Sequence, residues 1–189
     1  MIAVIDTQAG NLFNINKIVN GEITRDPYVI ERADKIVFPG VGSFSFVMDS
    51  IEGIKETIIE KIKSGIPYLG ICLGLEVLYD SSEEGPGSGL SILSGSIKKL
   101  TKNRVPHIGW DTVELIKDSR LFSGIKNGSY FYFLHSYYAE RNDYTVAITD
   151  YGNIISSAMQ KDNIYAVQFH PEKSGINGIQ VLKNFRDLI

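Results

Sequence analysis

Tyr68-Leu69-Gly70-Ile71-Cys72-Leu73-Gly74 runs a short apolar strand directly into a G-x-C-x-G turn. The residues after it, from Leu73 to about Tyr79, carry a helical pattern. A strand that stops at a tight glycine-flanked turn and restarts as a helix is a building block of parallel α/β sheets. The neighbouring sequence repeats the scheme. Ile2-Ala3-Val4-Ile5 reads as a buried strand, followed by a turn at Gln8-Ala9-Gly10 and a helix from about Asn11 to Val19. Lys35-Ile36-Val37-Phe38 is the next strand and ends at Pro39-Gly40. Ser43 then caps a helix predicted to run to roughly Lys63, with Gly65 and Pro67 as stop signals.

Beyond Glu83-Glu84-Gly85-Pro86-Gly87 the pattern becomes mostly extended, with β-rich stretches near 96–100, 110–116, 130–134, 144–149, 154–159 and 164–169. Gly175 to Ile189 closes as an amphipathic helix with Ile179, Val181, Leu182, Phe185 and Leu188 on its apolar side. No repeat, low-complexity tract or linker divides the chain, so residues 1–189 are expected to form one α/β domain. Its expected architecture is a three-layer mixed sheet: a mostly parallel core, antiparallel additions, and helices on both faces.

Composition narrows the function classes. The 189 residues are 43% hydrophobic and 22% charged, as in ordinary globular proteins, with a formal net charge of −3. Neither that charge nor any Lys/Arg stripe suits a nucleic-acid surface. No apolar run is long enough to span a bilayer, and no charged leader precedes the first strand, so neither a membrane span nor a signal peptide is expected. One cysteine makes no internal disulfide and no thiolate metal cluster, which favours a reducing cytoplasm. No metal or cofactor is called for.

That cysteine sits where chemistry is done. A tight strand-to-helix turn holds its nucleophile in strained backbone angles, and the flanking glycines remove side chains that would clash. It also sets the thiol at a helix start, where N–H groups and the macrodipole favour a thiolate. A thiolate nucleophile needs a base. Of His107, His135 and His170, the last lies in Val167-Gln168-Phe169-His170-Pro171-Glu172, with Glu172 two residues on, on the same side of an extended segment. The Gly-rich Phe38-Pro39-Gly40-Val41-Gly42-Ser43 loop would present N–H groups to an oxyanion, with the Leu73 N–H as the second donor. A phosphate-cradling loop is the competitor, but the lysine of a P-loop is missing.

Taken together, the Phe38–Phe44 loop, the Leu69–Gly74 elbow, Pro106-His107-Ile108-Gly109-Trp110, Tyr132-Phe133-Leu134-His135-Ser136-Tyr137 and Gln168–Gly175 resemble the class I (triad) glutamine amidotransferase family. The His-Ile-Gly-Trp, Leu-His-Ser-Tyr and Pro-Glu-Lys-Ser-Gly segments are similar to its glutaminase subunits that serve histidine biosynthesis. The resemblance implies a Cys72–His170–Glu172 triad and a γ-glutamyl thioester on Cys72. It implies L-glutamine held near Gly40, Val41 and Gly42, with Ser136 and Tyr137 on its other side. It further implies ammonia passed to a (β/α)8-barrel cyclase in a heterodimer, and Asn11, Trp110, Tyr132 and Lys173 facing that partner. Core packing is the alternative for the two aromatics.

Two segments depart from the family pattern. Glu76 stands where a glutamine that helps hold substrate is usual. An ionised Glu76 would repel the substrate carboxylate while accepting from its ammonium, so activity is expected to persist at a raised KM. Asp6-Thr7-Gln8-Ala9-Gly10-Asn11 replaces the commoner Asp-Tyr-Gly-Ala-Gly-Asn, and the short link from Val19 to Lys35 leaves room for only a trimmed second strand. The alternatives are a paralogous subunit feeding another synthase, such as a sugar amidotransferase, and a regulatory pseudo-glutaminase favoured by Glu76 alone.

Overall fold

Apolar runs without polar alternation suit strands buried on both faces, and in the computed structural model, which describes residues 1–189, they form the centre of a sheet. The chain opens with β1 (Ile2–Ile5), α1 (Leu12–Val19), β2 (Glu22–Thr24) and α2 (Pro27–Glu31). Next come β3 (Lys35–Gly40), α3 (Phe44–Ser50), α4 (Lys55–Lys63), β4 (Tyr68–Cys72) and α5 (Leu73–Glu76). The extended half supplies β5 (Tyr79–Ser82), β6 (Leu93–Lys99), β7 (His107–Leu115), β8 (Ser129–His135), β9 (Tyr137–Tyr138), β10 (Thr145–Asp150), β11 (Ile154–Lys161) and β12 (Ile164–Val167). Helix α6 (Gly175–Leu188) ends it.

Nine strands make the main sheet, in the order β2-β1-β3-β4-β12-β11-β10-β7-β8. Pairing is parallel from β2 to β12 and antiparallel from there to β8. The expected mixed sheet is therefore present, and β4 with its elbow sits near the middle, between β3 and β12. β5, β6 and β9 form a small second sheet. One core cluster packs α2 to α5 on one face, around Phe38, Phe44 and Tyr68. The other packs α1 and α6 on the opposite face, around Phe131, Phe169 and Phe185.

Three boundaries differ from expectation. The helix after Ser43 does not run unbroken to Lys63. It stops at Ser50, whose hydroxyl donates back to Val47 O at 2.7 Å, and resumes at Lys55 after a 3-10 turn holding Gly53. The helix after the elbow is a single turn, because Tyr79 is taken into β5, paired with Leu93. On α6 the buried stripe is Gly178, Val181, Leu182 and Phe185, a strict i, i+3, i+4, i+7 row, so Ile179 and Leu188 fall outside it and stay exposed. The second strand is indeed trimmed, to the three residues of edge strand β2.

Candidate active site

Cys72 ends β4 and has φ 53° and ψ −107°, a left-handed backbone that a cysteine adopts only when its surroundings force it. The forcing is visible on both sides. A methyl group built on Gly74 would overlap the Phe38 carbonyl oxygen, and one on Gly70 would overlap the Gly74 carbonyl. The Tyr68 hydroxyl donates to that same Gly74 carbonyl at 2.7 Å and closes the turn. The elbow read from the sequence is thus a packed object, held by β3 beneath it.

His170 follows β12, the strand beside β4, and its backbone N–H donates to Tyr132 O on β8 at 2.8 Å. Its Nδ1–H donates to Glu172 Oε1 at 3.0 Å, with both side chains buried. The pair is made as expected, though by different geometry. Pro171–Lys173 is a 3-10 turn rather than an extended segment, and the turn brings the carboxylate back to the ring. Nδ1–H leaves Nε2 as the lone-pair nitrogen, and that Nε2 is fully buried without a partner, as is Glu172 Oε2. The thiol of Cys72 is turned to Leu134 O at 3.8 Å, so the nucleophile–base hydrogen bond is not made in this arrangement.

Electrostatics also correct the expectation of a ready thiolate. Burial pushes the Cys72 thiol well above its ordinary value, and Glu76 adds to the rise; the Leu73 N–H and the Gln168 side chain pull against it. One turn of helix does not outweigh the loss of water. The Leu73 N–H acts on the sulfur itself in this arrangement, whereas an oxyanion donor has to meet the oxygen of the attacked carbonyl.

A pocket of about 240 Å³ opens over the thiol, the size of one amino acid. Val41, Gly42, Leu73, Glu76, Ser136 and Tyr137 line it as expected. Gly40 does not. It lies under the elbow, where a Cβ would come within 2.8 Å of Leu73 Cβ. A wider surface groove lined by Leu115, Arg120 and Gln160 holds none of these residues. Glu84, Pro106, Leu134 and His135 also line the pocket; the last three lie in the quoted motifs without an assigned place in the pocket, and nothing in the sequence marks Glu84. Glu84 is drawn in by accepting the Phe44 N–H at 2.5 Å. Gln168, quoted in the motif but given no role, donates to Glu76 Oε1 at 3.0 Å and to Cys72 Sγ at 3.8 Å.

Glu76 is the main correction. It is 3% exposed, and burial raises its carboxyl to about 8, with Gln168 opposing the rise and Glu84 adding to it. At neutral pH it is a carboxylic acid, not an anion, and so a shape-mimic of the usual glutamine with one O–H to donate. Between about 4.5 and about 8 the folded chain keeps a proton that the unfolded chain has lost, so stability falls as pH rises through that window. Glu76→Gln should flatten this slope and gain a few kcal/mol at about pH 9 relative to about pH 5. Urea midpoints of both chains at the two pH values check it; parallel slopes would mean that Glu76 is ionised throughout. For the same reason the KM for glutamine should match in the two chains near pH 7 and separate above about pH 8.

On the outer surface Trp110, Tyr132 and Lys173 come together. The Trp110 and Tyr132 rings meet edge-on at 6.1 Å, and the Lys173 ammonium lies 5.8 Å from the Tyr132 ring centre. Trp110 is 54% exposed, which removes the core alternative for it. Asn11, before α1, makes none of these contacts.

An α/β sheet with a strained cysteine elbow and a buried His–Glu pair defines a class, and the comparisons agree: residues 11–188 match the class-I glutamine amidotransferases, and the chain belongs to that family. Its relatives are more particular. It is 53% identical, over the full length of both chains, to imidazole glycerol phosphate synthase subunit HisH of Thermococcus kodakarensis, and equally to that of Picrophilus torridus. In fold it is similar to a crystal structure of a glutamine amidotransferase (TM-score 0.77, 16% identity, 99% of this chain and 97% of that one). The glutaminase domain of Trypanosoma brucei CTPS with bound acivicin is also similar (TM-score 0.69, 18% identity, 97% and 91%).

Proposed function

We propose that this chain is the glutaminase subunit of an imidazole glycerol phosphate synthase, hydrolysing L-glutamine for a cyclase partner in histidine biosynthesis. The observation that carries the reading is a buried, strained cysteine lining an amino-acid-sized pocket at the end of β4, with a histidine oriented by Glu172 and unpartnered at Nε2 just after the neighbouring strand β12. Once the thiol turns from Leu134 O, His170 Nε2 takes its proton and the sulfur attacks the side-chain amide. The Leu73 N–H and the backbone at Val41 and Gly42 hold the oxyanion. His170 returns the proton to the leaving ammonia, and water then releases glutamate from the thioester. Neutral Glu76 and the Glu84 carboxyl would bind the polar end of the substrate, the latter as acceptor for its ammonium.

The cyclase is proposed to be a (β/α)8 barrel in a heterodimer with this chain, docked on the Trp110, Tyr132 and Lys173 face with Asn11 at its margin. A reducing cytoplasm would keep Cys72 a free thiol. Because a carbonyl holds the thiol away from His170, the isolated chain should hydrolyse glutamine slowly. Adding the barrel cyclase from the same genome with its nucleotide ligand should raise the rate at least about a hundredfold, through movement of the Gly40–Gly42 backbone. Coupled glutamate release with and without the cyclase makes the test. Equal rates in both would refute the gating, and no turnover in a complex that forms would favour a different synthase or a regulatory role.

A further inference from the structure

Two buried histidines near the pocket take no part in the chemistry above. His107 and His135 face each other across the β7–β8 ladder as its last register pair. Beyond them the strands diverge, and Pro106 on one side and Ser136 and Tyr137 on the other line the pocket. The rings are joined, His107 Nδ1 to His135 Nε2 at 3.1 Å. At one end His135 Nδ1 reaches Tyr137 O at 2.8 Å, and at the other His107 Nε2 reaches Asp111 Oδ2 at 3.3 Å.

The protons in this chain are determined by the partners. A carbonyl only accepts, so His135 carries its hydrogen on Nδ1 and presents a lone pair at Nε2. Burial drives the His135 ring down to about 3, so it stays neutral at any working pH. His107 must then donate from Nδ1. Its ring is held by stacking on Phe133 at 4.7 Å and Tyr151 at 3.8 Å, both nearly parallel to it. The Tyr151 hydroxyl is itself anchored on Arg104 O at 2.8 Å.

We propose that His107 is a positioning residue for the substrate pocket: its Nδ1–H pins the His135 ring by donating to Nε2, and His135, whose Nδ1–H donates to Tyr137 O, fixes the Ser136–Tyr137 backbone that forms the pocket wall. The assignment rests on the glutamine reading of that pocket. It differs from a packing role in a specific way. Phenylalanine at 107 would keep the stack and lose the hydrogen bonds. At position 111 the Asp carboxylate accepts only if Nε2 also carries a hydrogen, as in the imidazolium, whereas an asparagine amide would donate to the Nε2 lone pair of the neutral ring; either leaves the Nδ1–H that faces His135 in place.

The test uses the full chain with labelled histidine rings. Ring nitrogen spectra should show a hydrogen on Nδ1 of both histidines, with Nε2 of His135 bare. His107→Phe should raise the KM for L-glutamine about tenfold with kcat within about threefold, and Asp111→Asn should leave both unchanged. An Nε2–H tautomer at His135 overturns the proposal even if the Phe variant does not fold. So does an unchanged KM in a folded His107→Phe chain. Expected tautomers in a wild-type chain that turns over no glutamine, with or without a cyclase, would instead overturn the glutamine reading and support the relay.

Discussion

Alanine at position 72 should lower glutamate release by a factor of about ten thousand or more while leaving glutamine binding in place. The size follows from the absence of a substitute. Cys72 is the only cysteine, and Ser136 is presented to the pocket without a base bonded to it. A water attacking directly would still have His170 and the oxyanion donors, which is why a small residue of catalysis is expected rather than none. Glutamine binding, read by calorimetry, should survive because the pocket walls at Val41, Glu76, Glu84 and Tyr137 are in place without the sulfur. Turnover above about one per cent of wild type in a contaminant-free preparation would remove Cys72 from the nucleophile's role.

Stability should answer to the elbow more than to any single core side chain. Gly74→Ala is expected to cost about 4 kcal/mol in urea unfolding, at the severe end of point substitutions. Its methyl group would meet the Phe38 carbonyl, a β3 backbone atom that cannot swing aside as a flexible side chain would. β3 is itself paired to β4 through Gly40 and Cys72, so retreat of that carbonyl would open the parallel centre of the sheet. Gly53 provides the contrast. Nothing lies within 4 Å of a Cβ there, and Gly53→Ala should change stability by less than about 1 kcal/mol. Equal stabilities for the two variants would show that the elbow relaxes freely around a new side chain.

Much of the fold and catalytic constellation is legible in contiguous residues. Gly70-Ile71-Cys72-Leu73-Gly74 encodes a strained turn locally, because only glycine leaves room at two positions of it. His170 and Glu172 are two residues apart, so their pairing needs only a proline-initiated turn. The alternation of apolar runs and helical patterns around them conveys the parallel half of the sheet. Helix lengths were less legible: Leu93, a non-local partner, takes Tyr79 into a strand, and the helix after Ser43 breaks locally at Ser50 and Gly53.

What the sequence by itself determined is therefore the fold, together with the proposed nucleophile and base that it carries, since each is written in neighbouring residues. Only the tertiary structure decided protonation and direction. Glu76 is neutral because the pocket walls strip its water, even though Gln168, 92 residues away, donates to it and pulls the other way. Cys72 points to Leu134 O, and His107 meets His135, for the same reason. A side chain's charge and hydrogen bonds depend on what is buried against it, and burial is a property of the packed chain rather than of any stretch of it.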